Sequence, residues 1–195
     1  MFDTSNTMVL PLLGSEEFCL RPFVARDVGS LQSALNDPQV TERLTNIPQP
    51  YTKEDALAWI TSTTQCVTPR SKRVSYVIDV DGEVAGSVSF INLDLQQQNA
   101  QISVWVASKY WGRGLAVEAL QLLLQFGFKE LDLYRIFAFY VEDNVKSKGM
   151  LDKLGFEKEG IHREEWKKLV DGEWQRFDSV HCSLLKPDWE ERMLS

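Results

Sequence analysis

Two glycines one residue apart, Gly112 and Gly114, stand where a strand pattern gives way to a helix pattern. Upstream, Ala100-Gln101-Ile102-Ser103-Val104-Trp105-Val106 alternates and carries β-branched residues, as a strand does. Downstream, Ala116, Leu120, Leu123, Leu124 and Phe128 recur at steps of three and four, on one helix face. Bare N–H groups at the glycines suit a phosphate. The unpaired donors and partial positive charge of a helix N-terminus add to them. A dinucleotide fingerprint needs a third small residue three places beyond the second glycine, where Val117 stands. A Walker loop needs Gly-Lys-Ser/Thr, which is absent. A tight turn whose glycines supply only backbone freedom is the alternative this segment leaves open.

A second pattern follows. Residues 134–141 form another apolar strand pattern, and Asn144 then stands as a helix N-cap with Gly155 as the terminating glycine.

The six residues Trp111-Gly112-Arg113-Gly114-Leu115-Ala116 resemble the pyrophosphate loop Q/R-x-x-G-x-G/A of the GNAT acyltransferases, with Trp in the first slot. The form Tyr110-Trp111-Gly112-Arg113-Gly114-Leu115-Ala116, followed by Glu118-Ala119, is similar to the RimJ/RimL branch of ribosomal-protein N-terminal acetyltransferases. Asn144 through Gly160 likewise resembles the second acetyl-CoA motif: Asn-x-x-Ser, a helix, Leu-Gly-Phe and a Glu-Gly step. The resemblance implies an α/β GNAT fold, a mixed and mostly antiparallel sheet flanked by helices. In that fold a splayed parallel strand pair holds acetyl-CoA.

The same resemblance implies the site. Backbone groups of Val104, Trp105 and Val106 would pair with the pantetheine arm and meet a developing oxyanion. Trp111, Gly112, Arg113, Gly114, Leu115 and Ala116 would cradle the pyrophosphate, with Arg113 either on a phosphate or solvated. Asn144 belongs to the cofactor motif. Ser147 matches the branch's acid, and its alternative is a first-turn serine or a serine bonding the cofactor. Glu164 or Glu165 lies nearest the branch's base. Leu151 stands in the slot of a common Tyr acid, while Gln101 and Phe139 replace carboxylates used elsewhere in the family.

The implied activity is acetyl-CoA-dependent acetylation of a primary amine by direct attack in a ternary complex. An α-amino group titrates near ~8 and lysine near ~10.4, so a site without an obvious strong base favours a protein or peptide N-terminus. Polyamines, aminoglycosides, amino-acid-like compounds and peptide antibiotics are alternative acceptors. A silent acyl-CoA-binding module is the alternative of another class. The acceptor pocket is expected between residues 26–66 and the hairpin near 165–175, where Trp59, Trp166 and Trp174 either line it or pack as core and rim.

The positioning elements are legible too. Residues 18–23 alternate as a strand, and residues 26–36 read as a helix that Asp37-Pro38 interrupts. Thr52 caps a helix with Ala56, Leu57, Trp59 and Ile60. Asp81-Gly82 turns a hairpin between strands over 74–80 and 84–93. A helix over 145–154 follows the strand at 134–141, and a last hairpin turns at Asp171-Gly172, its return arm running from Trp174 to Leu184. The division is an arm over 1–17, one domain over 18–186, and a tail over 187–195.

The chain has 195 residues, 44% of them hydrophobic, enough for one ordinary core. No window reaches the ~20 apolar residues of a membrane span, and the first thirteen residues lack the features of a secretory signal. Three scattered cysteines imply neither disulfides nor a metal, and His162 and His181 read as ordinary strand residues. A net charge of −7 without a basic block argues against direct nucleic-acid binding. The expectation is a cytoplasmic, metal-free monomer or homodimer.

Overall fold

The structure, a computed structural model, describes residues 7–42, 44, 47–63, 65–170 and 173–194. These residues form the strands β1 (Met8–Val9), β2 (Leu13–Gly14), β3 (Cys19–Arg21), β4 (Cys66–Val67), β5 (Arg73–Val80), β6 (Glu83–Asp94), β7 (Asn99–Val106), β8 (Arg135–Val141), β9 (Glu157–Val170) and β10 (Glu173–Leu185). The helices are α1 (Val28–Leu35), α2 (Pro38–Thr41), α3 (Lys53–Ser62), α4 (Leu115–Lys129), α5 (Val145–Leu154) and α6 (Lys186–Leu194).

β1 and β4 pair by themselves, and the other eight strands form one sheet in the order β2-β3-β5-β6-β7-β8-β10-β9. All neighbours in it are antiparallel except β7 and β8. That parallel ladder sets only Asn99, Ala100 and Gln101 against Arg135, Ile136 and Phe137. β7 stays on β6 as far as Val106, so beyond Gln101 its other edge carries no ladder. The sheet splits there. Splitting exposes backbone donors and acceptors that must find partners elsewhere.

Residue alternation assigns the two faces. Tyr76 and Ile78 of β5 join one apolar cluster and Val77 the other, as a two-residue period requires. The larger cluster includes Leu115, Ala119, Leu120, Leu123 and Leu124 of α4; Ala116 is only half-buried. The smaller cluster packs Leu31, Leu35, Ala56 and Ile60 of α1 and α3 on the opposite face. Thr52 Oγ1 accepts from the Asp55 N–H at 3.1 Å, and Asp55 accepts from the Thr52 N–H at 2.9 Å. Such a cap contributes about 1 kcal/mol. The turn between β5 and β6 has φ of 53° at Asp81 and 85° at Gly82, the geometry the Asp-Gly pair predicts.

Several boundaries differ from the sequence expectation. Residues 186–194 are a helix and not a tail, because Trp189 buries its ring against Phe128, centroids 5.2 Å apart. The described part of the arm is tied down by β1, β2 and buried Leu10. The first helix starts as a 3-10 turn at Ala25–Asp27, and Asp37 caps α2 by accepting from the Gln39 N–H at 2.9 Å. The Asp171-Gly172 turn lies outside the described residues, although β9 and β10 on either side are paired. No described helix is long and apolar enough to cross a membrane.

Candidate active site

The glycine loop takes the shape the spacing predicts. Gly112 has φ of 79° and Gly114, the N-cap of α4, has φ of 82°, both in the left-handed region. The N–H groups of residues 112–116 have no backbone partner among the described residues, so they are available to an anion. The Trp111 indole donates to the Val106 carbonyl at 2.7 Å and clips the loop to the end of β7. Lys146 Nζ stands 5.3 Å from the Trp111 ring centroid and brings a cation from α5 to the loop. Lys146 carried no sequence signal of its own, since only the fold brings the start of α5 beside the loop. Arg113 sits 3.4 Å from Glu17, 5.7 Å from the Tyr110 ring centroid, and is well exposed.

A cavity of about 1050 Å³ opens at the split in the sheet. Val104 and Trp105 of β7, Phe139 and Tyr140 of β8, and Asn144, Ser147 and Leu151 at α5 line it. Tyr51, Asp55 and Trp59 around α3, Arg73 of β5, Ser87 of β6 and Trp166 of β9 line it as well. Val106 is not among the lining residues, and its carbonyl is taken by Trp111. Of the three aromatics expected at the acceptor side, Trp59 and Trp166 line the cavity, while Trp174 is exposed on β10. Ser87 Oγ and Trp166 Nε1 are buried without a hydrogen-bond partner among the described residues.

Asn144 Oδ1 accepts from the Ser147 N–H at 3.1 Å, closing the first turn of α5. The Ser147 hydroxyl makes no hydrogen bond among the described residues, which leaves it free on the cavity wall. Gly155, with φ of 90°, ends the helix as the terminating glycine expected of it. Leu151 is buried in the wall and offers no hydroxyl to the cavity.

The two glutamates expected nearest the base sit on β9 beside the cavity. Neither Glu164 nor Glu165 lines the cavity, although Trp166 beside them does. Glu164 has φ of 53°, its N–H donates to Asp178 Oδ1 at 2.7 Å, and its carbonyl accepts from Arg176 at 3.0 Å. The Glu165 carboxylate accepts from Ser179 and contacts His181 Nε2 at 2.7 Å and His162 Nδ1 at 3.2 Å. Partial burial pushes its pKa up, but these hydrogen bonds outweigh burial and hold it at about 2. A carboxyl so acidic is a poor proton acceptor from an ammonium group. Sequence spacing missed this because a bulge resets the strand phase at these residues.

Residues 17–157 match the acetyltransferase (GNAT) domain family. The chain belongs to the GNAT acetyltransferase family. It is 30% identical over 179 residues to the uncharacterized N-acetyltransferase p20 of Bacillus licheniformis, covering 91% of this chain and 97% of that protein. It is 33% identical over 108 residues to the [ribosomal protein uS5]-alanine N-acetyltransferase of Escherichia coli (strain K12), covering 55% and 54%. With several curated GNAT relatives the matched part spans little more than half of their length. Among solved GNAT structures, RimJ of Mycobacterium smegmatis in complex with CoA-disulfide superimposes with a TM-score of 0.73. The two share 25% identity over 92% of this chain and 87% of that one.

Proposed function

We propose that this chain is an acetyl-CoA-dependent N-acetyltransferase acting on the α-amino group of a protein or peptide. The observation that carries the reading is β7 itself, whose unladdered edge lines the cavity and whose end carries the glycine loop. The N–H groups of residues 112–116 are open to an anion, β7 runs from them to the split, and residues of α3 and β9 line the same cavity as the β7 edge. A pyrophosphate on the loop sends its arm along that edge, and the acceptor enters from the side of Trp59 and Trp166. Holding both reactants so contributes up to ~7–11 kcal/mol of the barrier lowering.

In this reading the neutral amine attacks the thioester carbon and the C–S bond breaks. The departing thiolate takes a proton from Ser147 Oγ, whose hydroxyl is free on the wall. With Glu164 and Glu165 outside the cavity, the amine enters neutral, and the proton it loses on becoming an amide passes through water to Ser147 Oγ, restoring the hydroxyl as the free thiol leaves. An α-amine near ~8 enters neutral readily at neutral pH, whereas lysine near ~10.4 does not. The charged residues lining the cavity are Asp55 and Arg73, and Asp55 already serves the α3 cap. A polyamine would need more carboxylates to pair its several cations. A peptide with one ammonium group does not.

The test is product mapping by mass spectrometry after incubation with acetyl-CoA. Peptides with a free small N-terminal residue are expected to gain one acetyl group on the α-amine. The same peptides blocked at that amine but with free lysine are expected to be poor substrates. Turnover of polyamines or antibiotics alone would move the acceptor to another class. Cofactor binding with no turnover of any amine would favour the silent module.

A further inference from the structure

We propose that His162, Glu165 and His181 form a site for a zinc-like transition-metal ion on the hairpin of β9 and β10. His162 Nδ1 lies 3.2 Å from Glu165 Oε1, and His181 Nε2 lies 2.7 Å from Glu165 Oε2. All three donor atoms fall within 4.8 Å of one another. Donors around a tetrahedral ion bound at ~2.0–2.1 Å stand roughly 3.3 Å apart, so the 3.2 Å between His162 Nδ1 and Glu165 Oε1 already matches, and the other donors have to close or open by small side-chain rotations.

The convergence is built by the backbone. His162 and Glu165 are three residues apart, and a regular strand would put them on opposite faces. The β9–β10 register shifts between Phe177 and Ser179, and Glu164 opposite that shift takes φ of 53°. This bulge turns Glu165 onto the side of His162 and His181. The cross-strand register pairs His181 with Gly160 and Ser179 with His162, which sets the two rings side by side.

Two of the three donors are also oriented from outside. Phe139 stacks on His181 with centroids 5.3 Å apart, and Ser179 donates to Glu165, the support metal ligands usually have. The two imidazoles themselves stack with centroids 3.6 Å apart, so one ring must turn to aim its lone pair at a shared ion. His162 is the ring free to do so, since its side chain is 57% exposed against 20% for His181. Two imidazoles and one carboxylate suit zinc, cobalt, nickel or copper and not magnesium or calcium. Water fills the remaining position on this exposed surface. A bound ion would cross-link β9 to β10 beside Trp166, stiffening one wall of the cavity.

The test is calorimetry of chelator-treated full-length protein with zinc chloride, with magnesium chloride as the control. One equivalent of zinc is expected to bind in the micromolar range, with no heat from magnesium. His162→Ala and His181→Ala are each expected to weaken zinc at least ~10-fold, while circular dichroism and CoA binding stay as in the wild type. Cobalt(II) is expected to give a visible d–d band that both variants lose. No zinc binding by the wild type, or equal binding by both histidine variants, would overturn the site. Neither readout needs an amine substrate, so failure here and failure of the acetyltransferase reading are told apart.

Discussion

The Trp111 indole and the Val106 carbonyl, 2.7 Å apart, fasten the glycine loop to the strand edge that splits from the sheet. The bond fixes where the free N–H groups of residues 112–116 stand relative to the open edge of β7. Trp111→Phe keeps an aromatic ring for Lys146 but removes the donor. One such bond is worth about 1 kcal/mol net, so acetyl-CoA affinity is expected to fall about 5-fold. Calorimetry with acetyl-CoA checks this, and unchanged affinity would show that the clip does not shape the loop.

Gly114 separates conformational from steric demand. A Cβ there would meet nothing closer than Glu118 Oε1 at 3.9 Å, but φ of 82° is left-handed. A β-branched residue in that region costs ~1–2 kcal/mol, a loss the fold can bear. Gly114→Val is therefore expected to remain folded and to lose acetyl-CoA binding as the loop re-forms. Circular dichroism and calorimetry on one sample read both outcomes. Retained affinity would remove the pyrophosphate assignment.

Asn144 and Ser147 are joined by one hydrogen bond yet should fail differently. Asn144→Ala removes the cap of α5 and is expected to cost about 1 kcal/mol, read as a lower Tm. Ser147→Ala leaves the cap intact, since the backbone N–H makes that bond. It is expected to lower kcat with little change in acetyl-CoA affinity. A loss confined to affinity would make Ser147 a cofactor contact instead of the acid.

The two motifs were readable in the sequence because each is local. Gly112 and Gly114, Asn144 and Gly155 act within a few residues of themselves, so spacing alone places them. The acceptor side was not readable, because Tyr51, Trp59, Arg73, Ser87 and Trp166 meet only across the sheet. The surroundings of Glu165 were not readable for a related reason. A bulge beside Glu164 shifts the strand phase, and no pattern in the sequence announces it. His162 and His181 looked ordinary because their partner was chosen by that same bulge. The tail became α6 because Trp189 finds Phe128, a contact spanning the fold.

Lys186 Nζ donates to Asp132 Oδ1 at 2.8 Å, linking the start of α6 to the connection between α4 and β8. This hydrogen bond lowers the Asp132 pKa, with burial opposing it. A depressed carboxyl contributes its full stability above the unfolded value of about 3.9 and loses it as pH falls through the folded value. Lys186→Met is expected to lower Tm at neutral pH and to shrink the drop in Tm on acidification. Thermal unfolding at neutral pH and below about pH 3 measures the difference. An unchanged drop would mean that this pair does not couple α6 to pH.

Trp166 tests which end of the cavity takes the amine. It sits on β9, stacks near Phe139 with centroids 5.2 Å apart, and lines the same cavity as Trp59 of α3. In the proposed reading the cofactor lies along the β7 edge toward the glycine loop, so the two reactants should contact different residues of the lining. Truncating an aromatic wall residue removes buried contact area worth ~1–2 kcal/mol, about 10-fold in an equilibrium constant. Trp166→Ala is therefore expected to raise the KM for the peptide amine about 10-fold, by the same conversion. The KM for acetyl-CoA should stay within a factor of about two. Steady-state kinetics with each reactant varied in turn separates the constants. A rise in the acetyl-CoA KM equal to that for the amine would place the cofactor, and not the acceptor, against β9.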